Sequence, residues 1–227
     1  LVEELIFNEN VVYSKFNKKA IDALCKAGAM GDLIDERFTG DQHLWKVICD
    51  DKPRSKKKLN EKIELHKDQG SWSEEERIEN LTNLTGMFPF SIVMDDNVNR
   101  LINKFVIALD IEDFEVPTIT KYEQMMSDLM SSSVWRKGMT LPKELNYFLA
   151  IPRSVTRKKT RTGKPFWVVD IIDLDSRQTR IRCWGVDEAL DDIQINKPYI
   201  IREPGWSADW GFSTKGGINN SWILLKK

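Results

Sequence analysis

Apolar residues recur every three or four positions through the first part of the chain, and every second position beyond about Pro142. The first pattern predicts helices. Asn17 offers a cap for a helix over Lys18–Lys26, with Ala20, Ile21, Leu24 and Cys25 as its apolar stripe and Gly28 as its stop. Gly40-Asp41 opens a second helix with Leu44, Trp45, Val47 and Ile48 inward. The stretch 51–58 holds Pro53 and the basic run Arg54, Lys56, Lys57, Lys58, and reads as a loop or the solvated start of a helix. Ser73 and Glu76 form a capping box ahead of Ile78, Leu81 and Leu84, and Gly86 ends that helix. Residues 95–108 present Val98, Leu101, Ile102, Phe105 and Val106 on one face. Residues 118–135 form a further helix whose Met125, Met126 and Met130 read as core filler.

The second pattern predicts five strands. Residues 148–159 are extended, the turn 160–163 follows, and 166–172 is a strand-sized apolar run. Thr179–Trp184 alternates strictly, 187–193 is short and helix-like, and 199–202 and 222–225 complete the set. Five strands with a short helix between the third and fourth is the order of an OB-fold barrel. The expected fold is therefore α+β: an N-terminal helical part followed by a five-stranded OB barrel.

Composition narrows the function. The 227 residues are 41% hydrophobic and 30% charged, too apolar for wholesale disorder and without a run of the ~20 apolar residues a membrane helix needs. No membrane association is expected. The N-terminus has neither a signal-peptide core nor an initiator Met, which reads as a trimmed product or the tail of a longer chain. Cys25, Cys49 and Cys183 are too few and too far apart for a disulfide framework or a zinc motif, and fit reduced, buried thiols in a cytoplasmic protein. The net charge of −1 hides an asymmetry. Residues 148–227 carry 14 basic against 9 acidic side chains, and the remainder carries 20 against 26. A basic C-terminal part points to an anionic partner.

Catalytic constellations are missing from the pattern. Gly216-Gly217 precedes the last strand, whereas a phosphate loop follows one, and two histidines (His43, His66) support no triad. Asp50-Asp51, Asp95-Asp96 and Asp191-Asp192 have the chemistry to hold Mg²⁺ but read as caps or loops, and Asp170, Asp173 and Asp175, spaced along a strand and its exit, read as strand and turn residues rather than a metal site. No cofactor is expected in this chain.

Three patches read instead as a nucleic-acid face. In Thr179–Trp184, Ile181 and Cys183 share one side while Arg180, Arg182 and Trp184 share the other. If the apolar pair points inward, two guanidiniums and an indole project outward, able to hold phosphate and stack bases. The first hairpin adds Arg157, Lys158, Lys159, Arg161 and Lys164, and a loop before the last strand adds Trp206, Trp210, Phe212 and Lys215. OB folds bind oligonucleotides on this part of their surface. The run Arg54–Lys58 reads as a solvated face, because Glu61, Glu64 and Asp68 follow it.

The stretch Asn17-Lys18-Lys19-Ala20 through Cys25-Lys26-Ala27-Gly28-Ala29-Met30-Gly31-Asp32-Leu33 resembles a segment of the bacterial replicative DNA polymerase III alpha subunit, a C-family polymerase. Trp72-Ser73 with Glu75-Glu76 and then Leu84-Thr85-Gly86-Met87-Phe88-Pro89-Phe90 resembles the family's next segment. Lys158-Lys159-Thr160-Arg161-Thr162-Gly163-Lys164-Pro165 and Asp170-Ile171-Ile172-Asp173-Leu174 are similar to its OB hairpin and following strand. The matches keep the family's order across most of residues 14–225. Departures are the family's His-Pro, which is Phe88-Pro89-Phe90 here, and a glycine pair reduced to Gly28 and Gly31. Such divergence suits a phage or plasmid-borne enzyme.

The resemblance implies a helix-hairpin-helix remnant over 1–36, a helical connector over 37–141 and a nucleic-acid-binding OB domain over 142–227. It implies single-stranded and duplex DNA as partners in DNA replication, with Lys18, Lys19 and Gly28 near the duplex backbone. The catalytic aspartates and their Mg²⁺ would lie in an upstream polymerase core, in a bacterial or phage-infected cytoplasm. The family's sliding-clamp motif has its nearest match in Gln42-His43-Leu44-Trp45, where Leu44 and Trp45 also fit a buried helix face. Two rival readings are a standalone single-strand-binding replication accessory protein and an OB module that docks other protein subunits. Nothing in the pattern separates DNA from RNA.

Overall fold

The computed structural model describes residues 2–10, 17–50, 52–111, 114–134, 139–185, 193–215 and 221–225, and in it two helices begin on the side-chain caps read from the sequence, Asn17 and Ser73. Two compact units result, Leu1–Pro89 and Phe90–Lys227.

In the first unit, Asn17 accepts from the Ala20 amide at 3.0 Å and starts α2 (Lys18–Lys26), which follows α1 (Val2–Phe7). Next come α3 (Asp41–Trp45), a π-helical turn (Lys46–Asp50), α4 (Lys56–Leu65) and α5 (Glu74–Thr85). The capping box closes in both directions: Ser73 Oγ accepts from the Glu76 amide at 3.2 Å, and Glu76 accepts from the Ser73 amide at 2.8 Å. Gly86 ends α5 at φ 71°, a conformation that favours glycine. Lys56, Lys57 and Lys58 of the basic run form the solvated first turn of α4, with Arg54 before its Ser55 cap, and the inward face of α4 is only Leu59 and Ile63. The core joins Val2, Ile6, Ile21, Cys25, Leu44, Val47, Ile48 and Cys49 to that pair. Buried His43 accepts from the Thr39 amide on Nδ1 and donates from Nε2 to the Ile63 carbonyl at 2.9 Å, which assigns one neutral tautomer. Gly40 lies so close to Gly70 that a Cβ would stand 2.4 Å from that residue's backbone.

The second unit holds α6 (Phe90–Val93), α7 (Asp96–Leu109) and α8 (Ile119–Ser131), so these helices belong with the sheet. Its strands are β1 (Tyr147–Lys159), β2 (Pro165–Ile172), β3 (Gln178–Trp184), β4 (Tyr199–Arg202), β5 (Gly205–Ser207), β6 (Gly211–Lys215) and β7 (Trp222–Leu224). They form one curled sheet in the order β5-β6-β3-β2-β1-β4-β7. Long β1 produces the curl: its first half pairs with β4 and its second half with β2, with a bulge between Pro152 and Ser154.

The concave side is filled by Phe148, Val169, Ile171, Ile181, Cys183, Tyr199, Ile201, Phe212 and Trp222, and α8 adds Ile119, Tyr122 and Met126. The rings of Tyr122, Phe148 and Phe212 meet at 4.8–5.5 Å, and the Tyr122 hydroxyl donates to the Leu145 carbonyl at 2.8 Å. Elsewhere α7 packs Val98, Leu101 and Phe105 with Leu149 and Ile200.

One sequence expectation changes here. Among the described residues the sheet has seven strand segments rather than five, because the stretch expected to be an aromatic loop forms β5 and β6. Three- and five-residue strands starting at Gly205 and Gly211 are too short to show a period of two. Asp173 is a buried tie: it accepts from the Ile119 amide at 2.8 Å and from the amides of Asp175 and Arg177, fixing the β2–β3 turn to the start of α8. The short helix expected over 187–193 falls outside the described residues, apart from Ile193.

Candidate nucleic-acid interface

Strand register decides what the outer face of the sheet displays. Ile181 and Cys183 are buried while Arg180, Arg182 and Trp184 project outward, as period two requires. Pairing with β1, β2 and β6 then arranges the outer side chains in three rows. The first is Ser154–Asp170–Arg180, and the second is Thr156–Val168–Arg182–Ser213. The third is Lys158 and Phe166 with Trp184 and Lys215. The Phe166 and Trp184 rings stack at 4.5 Å and 20°. The face therefore grades from an ion pair, through a lone guanidinium, to an aromatic platform flanked by lysines.

Trp210, at the tip of the β5–β6 hairpin, is 71% exposed and leans over this face. Its carbonyl accepts a hydrogen bond from Arg182, whose guanidinium also lies 6.0 Å from the Trp210 ring centroid. Arg182 is thus held in place without a carboxylate partner among the described residues, which leaves its charge uncompensated. Arg180 differs: its Nε donates to Asp170 Oδ1 at 2.8 Å. Asp170 also accepts from Ser154 Oγ at 2.5 Å; that bond and Arg180 hold its carboxyl below the usual carboxylate range.

Two open hollows meet on this face. One, of about 620 Å³, is lined by Arg153, Ser154, Asp170, Gln178, Arg180 and Arg182. The other, of about 550 Å³, runs past Lys159, Phe166, Trp184, Trp206 and Lys215. Both include Arg182, Trp210 and Gly211, so they form one groove crossing β2, β3 and β6.

The predicted residues separate accordingly. Arg180, Arg182, Trp184, Trp210, Lys159 and Lys215 line the groove, while Lys158, Arg161 and Lys164 are exposed on the adjoining hairpin. Gly163, at φ 82°, makes that tight turn, with its amide donating to the Thr160 carbonyl. Arg157 faces the other side, over the Trp167 ring at 5.7 Å, because it is cross-strand from that inward residue. Phe212 is fully buried in the core and offers no surface. Trp206, cross-strand from Phe212, packs partly on the core and has a buried Nε1 with no hydrogen-bond partner.

Lys18, Lys19 and Gly28 belong to the first unit. Lys18 and Lys19 are exposed, Lys18 reaches the Asp50 carbonyl at 3.3 Å, and the Gly28 amide is spent on the Cys25 carbonyl at 3.0 Å. In Gln42-His43-Leu44-Trp45, His43 and Leu44 are buried and Trp45 donates to Asp22. Sequence reasoning missed Ser154 and Phe166 and did not connect Asp170 with this face, because all three depend on register.

Among the described residues no group of three or more histidine, cysteine or acidic side chains could hold a metal ion, and no helix is long and apolar enough to cross a membrane. All three cysteines are buried as free thiols. The chain matches no family model, and no curated protein is significantly similar to it in sequence.

Proposed function

We propose that the second unit is an OB-type module that holds single-stranded DNA in the groove across β2, β3 and β6. The single observation that carries this is the co-location of Arg182, the Phe166–Trp184 platform and exposed Trp210 beside a basic hairpin. Guanidinium and ammonium groups supply phosphate contacts, and ring faces accept any base. An intact duplex offers no unstacked base face to such a platform, so single strands are the preferred ligand.

The strand pairing supports the OB reading. Only Glu203 and Pro204 separate β4 from β5, and β5 pairs with β6 while β4 pairs with β7. Taken as one bent hairpin, β4 with β5 against β6 with β7, those four segments are two strands. The order becomes first-second-third-fifth-fourth and returns to the first, with the third and fifth parallel. On this reading the groove is flanked by the first hairpin and the hairpin joining the last two strands, the usual OB ligand face. The resemblance to the C-family replicative polymerase extends the proposal: this chain is a C-terminal part of such an enzyme in a bacterial or phage-infected cytoplasm, and the module guides template strand toward a polymerase core that lies outside it. Any Mg²⁺ chemistry belongs to that core.

The test is fluorescence-anisotropy titration with single-stranded and duplex DNA at two salt concentrations, repeated with Arg180→Ala/Arg182→Ala/Trp184→Ala. Salt-dependent binding of single strands that the triple variant loses is the expected result. Equal binding by the variant, or none by the parent chain, overturns the proposal and leaves the groove as a protein-docking surface.

A further inference from the structure

The polar end of the groove holds a feature that phosphate binding leaves unexplained. Asp170 sits in the middle of the row Ser154–Asp170–Arg180, on the hollow's lining, with 42% of its side chain exposed. The Asp170 oxygens can only accept, so they offer a phosphate no donor, whereas Arg182, Lys159 and Lys215 supply donors toward the other end of the groove. A group that Asp170 can hold is one with N–H donors, such as the edge of a base.

The acceptors at that edge are partly used. Oδ2 takes the Ser154 hydroxyl at 2.5 Å, and Oδ1 takes Arg180 Nε at 2.8 Å. A carboxylate has about four lone-pair sites, so each oxygen keeps one for a ligand. Arg180 has spent only Nε on Asp170, which leaves its Nη groups as donors. The edge that fits shows two adjacent N–H donors next to an acceptor. Adenine and cytosine present one amino group beside acceptors, and thymine presents one imino N–H between two carbonyls. Guanine alone presents N1–H and N2–H side by side with O6 adjoining.

We infer that Asp170 and Arg180 read the Watson–Crick edge of one unpaired base and select guanine. This rests on the single-strand reading above. The carboxyl is ionised at neutral pH, as an acceptor must be, because the Ser154 and Arg180 hydrogen bonds favour its charged form.

The experiment uses the full chain and an oligo-dT of about fifteen nucleotides, a length at the upper end of one OB site. A single central dT is replaced by dG, dA, dC or dI, the last being guanine without its N2 amino group. A single central dG is expected to bind about tenfold more tightly than dT, and dI to lose most of that gain. Asp170→Asn should bring the affinities of all five oligonucleotides together. Equal affinity for dG and dI on the parent chain, or a guanine preference that survives Asp170→Asn, overturns the inference while single-strand binding stands. If no oligonucleotide binds at low salt, the single-strand reading itself fails.

Discussion

Removing Arg182 should change how binding responds to salt, whereas removing its neighbour Arg180 should not. Of the cations lining the groove, Arg153 donates to Asn196 and is unchanged in every variant, Arg180 is neutralised locally by Asp170, and Arg182, Lys159 and Lys215 have no carboxylate partner among the described residues. Each phosphate neutralised on a single strand contributes about −0.7 to the slope of log K against log salt, so these three give a slope of about −2. Raising salt fourfold then weakens binding roughly 20-fold, and Arg182→Ala should reduce that to about sevenfold, with the slope near −1.4. The hairpin residues Lys158, Arg161 and Lys164 add equally to both slopes, so the difference of about 0.7 is the quantity to read. Arg180→Ala should leave the slope within error of the parent, because its charge is already compensated. Trp184→Ala tests the other term: loss of a stacking ring costs about 1–3 kcal/mol and leaves the slope alone. Anisotropy titrations with oligo-dT at three salt concentrations provide the data. A parent-like slope in Arg182→Ala, or a slope that falls in Arg180→Ala, refutes the assignment of charges on this face.

Two further predictions concern stability. Burial in the sheet's interior pushes the Cys183 thiol up to about 11 from its ordinary 9.0. The unfolded chain then loses that proton first, so the stabilisation is full below pH 9 and is lost as pH rises toward 11. Under reducing conditions the parent should lose about 2–3 kcal/mol relative to Cys183→Ala across that interval, and parallel denaturation curves would mean the thiol is not sequestered. Gly40→Ala puts a Cβ 2.4 Å from the Gly70 backbone, where no flexible side chain can yield, and should destabilise the first unit by about 1–3 kcal/mol. A thermal melt unchanged by that substitution would show that the two segments are not in contact.

The features legible in the sequence are those whose cause is local. Asn17 and the Ser73–Glu76 pair start helices because a side-chain oxygen satisfies amides two or three residues away. Gly28 and Gly86 end helices because the left-handed backbone at φ 73° and 71° favours a residue without a Cβ. Strand β3 shows itself because one half-buried strand carries its own alternation, which is why Arg180, Arg182 and Trp184 could be placed on one face beforehand. The body of α4 was hidden, since its lysines leave only Leu59 and Ile63 as a signal.

Everything that depends on pairing distant segments was decided by tertiary structure. Register against β2 places Asp170 beside Arg180 and turns a presumed phosphate contact into an ion pair. Register against Trp167 turns Arg157 away from the groove, and parallel pairing of β6 with β3 sends Phe212 into the core while Trp210 stays outside. A shift of one residue would have reversed each of these faces, because successive side chains on a strand point to opposite sides. Sequence determined which residues could carry charge and stacking; only the register of the curled sheet decided which of them share a groove.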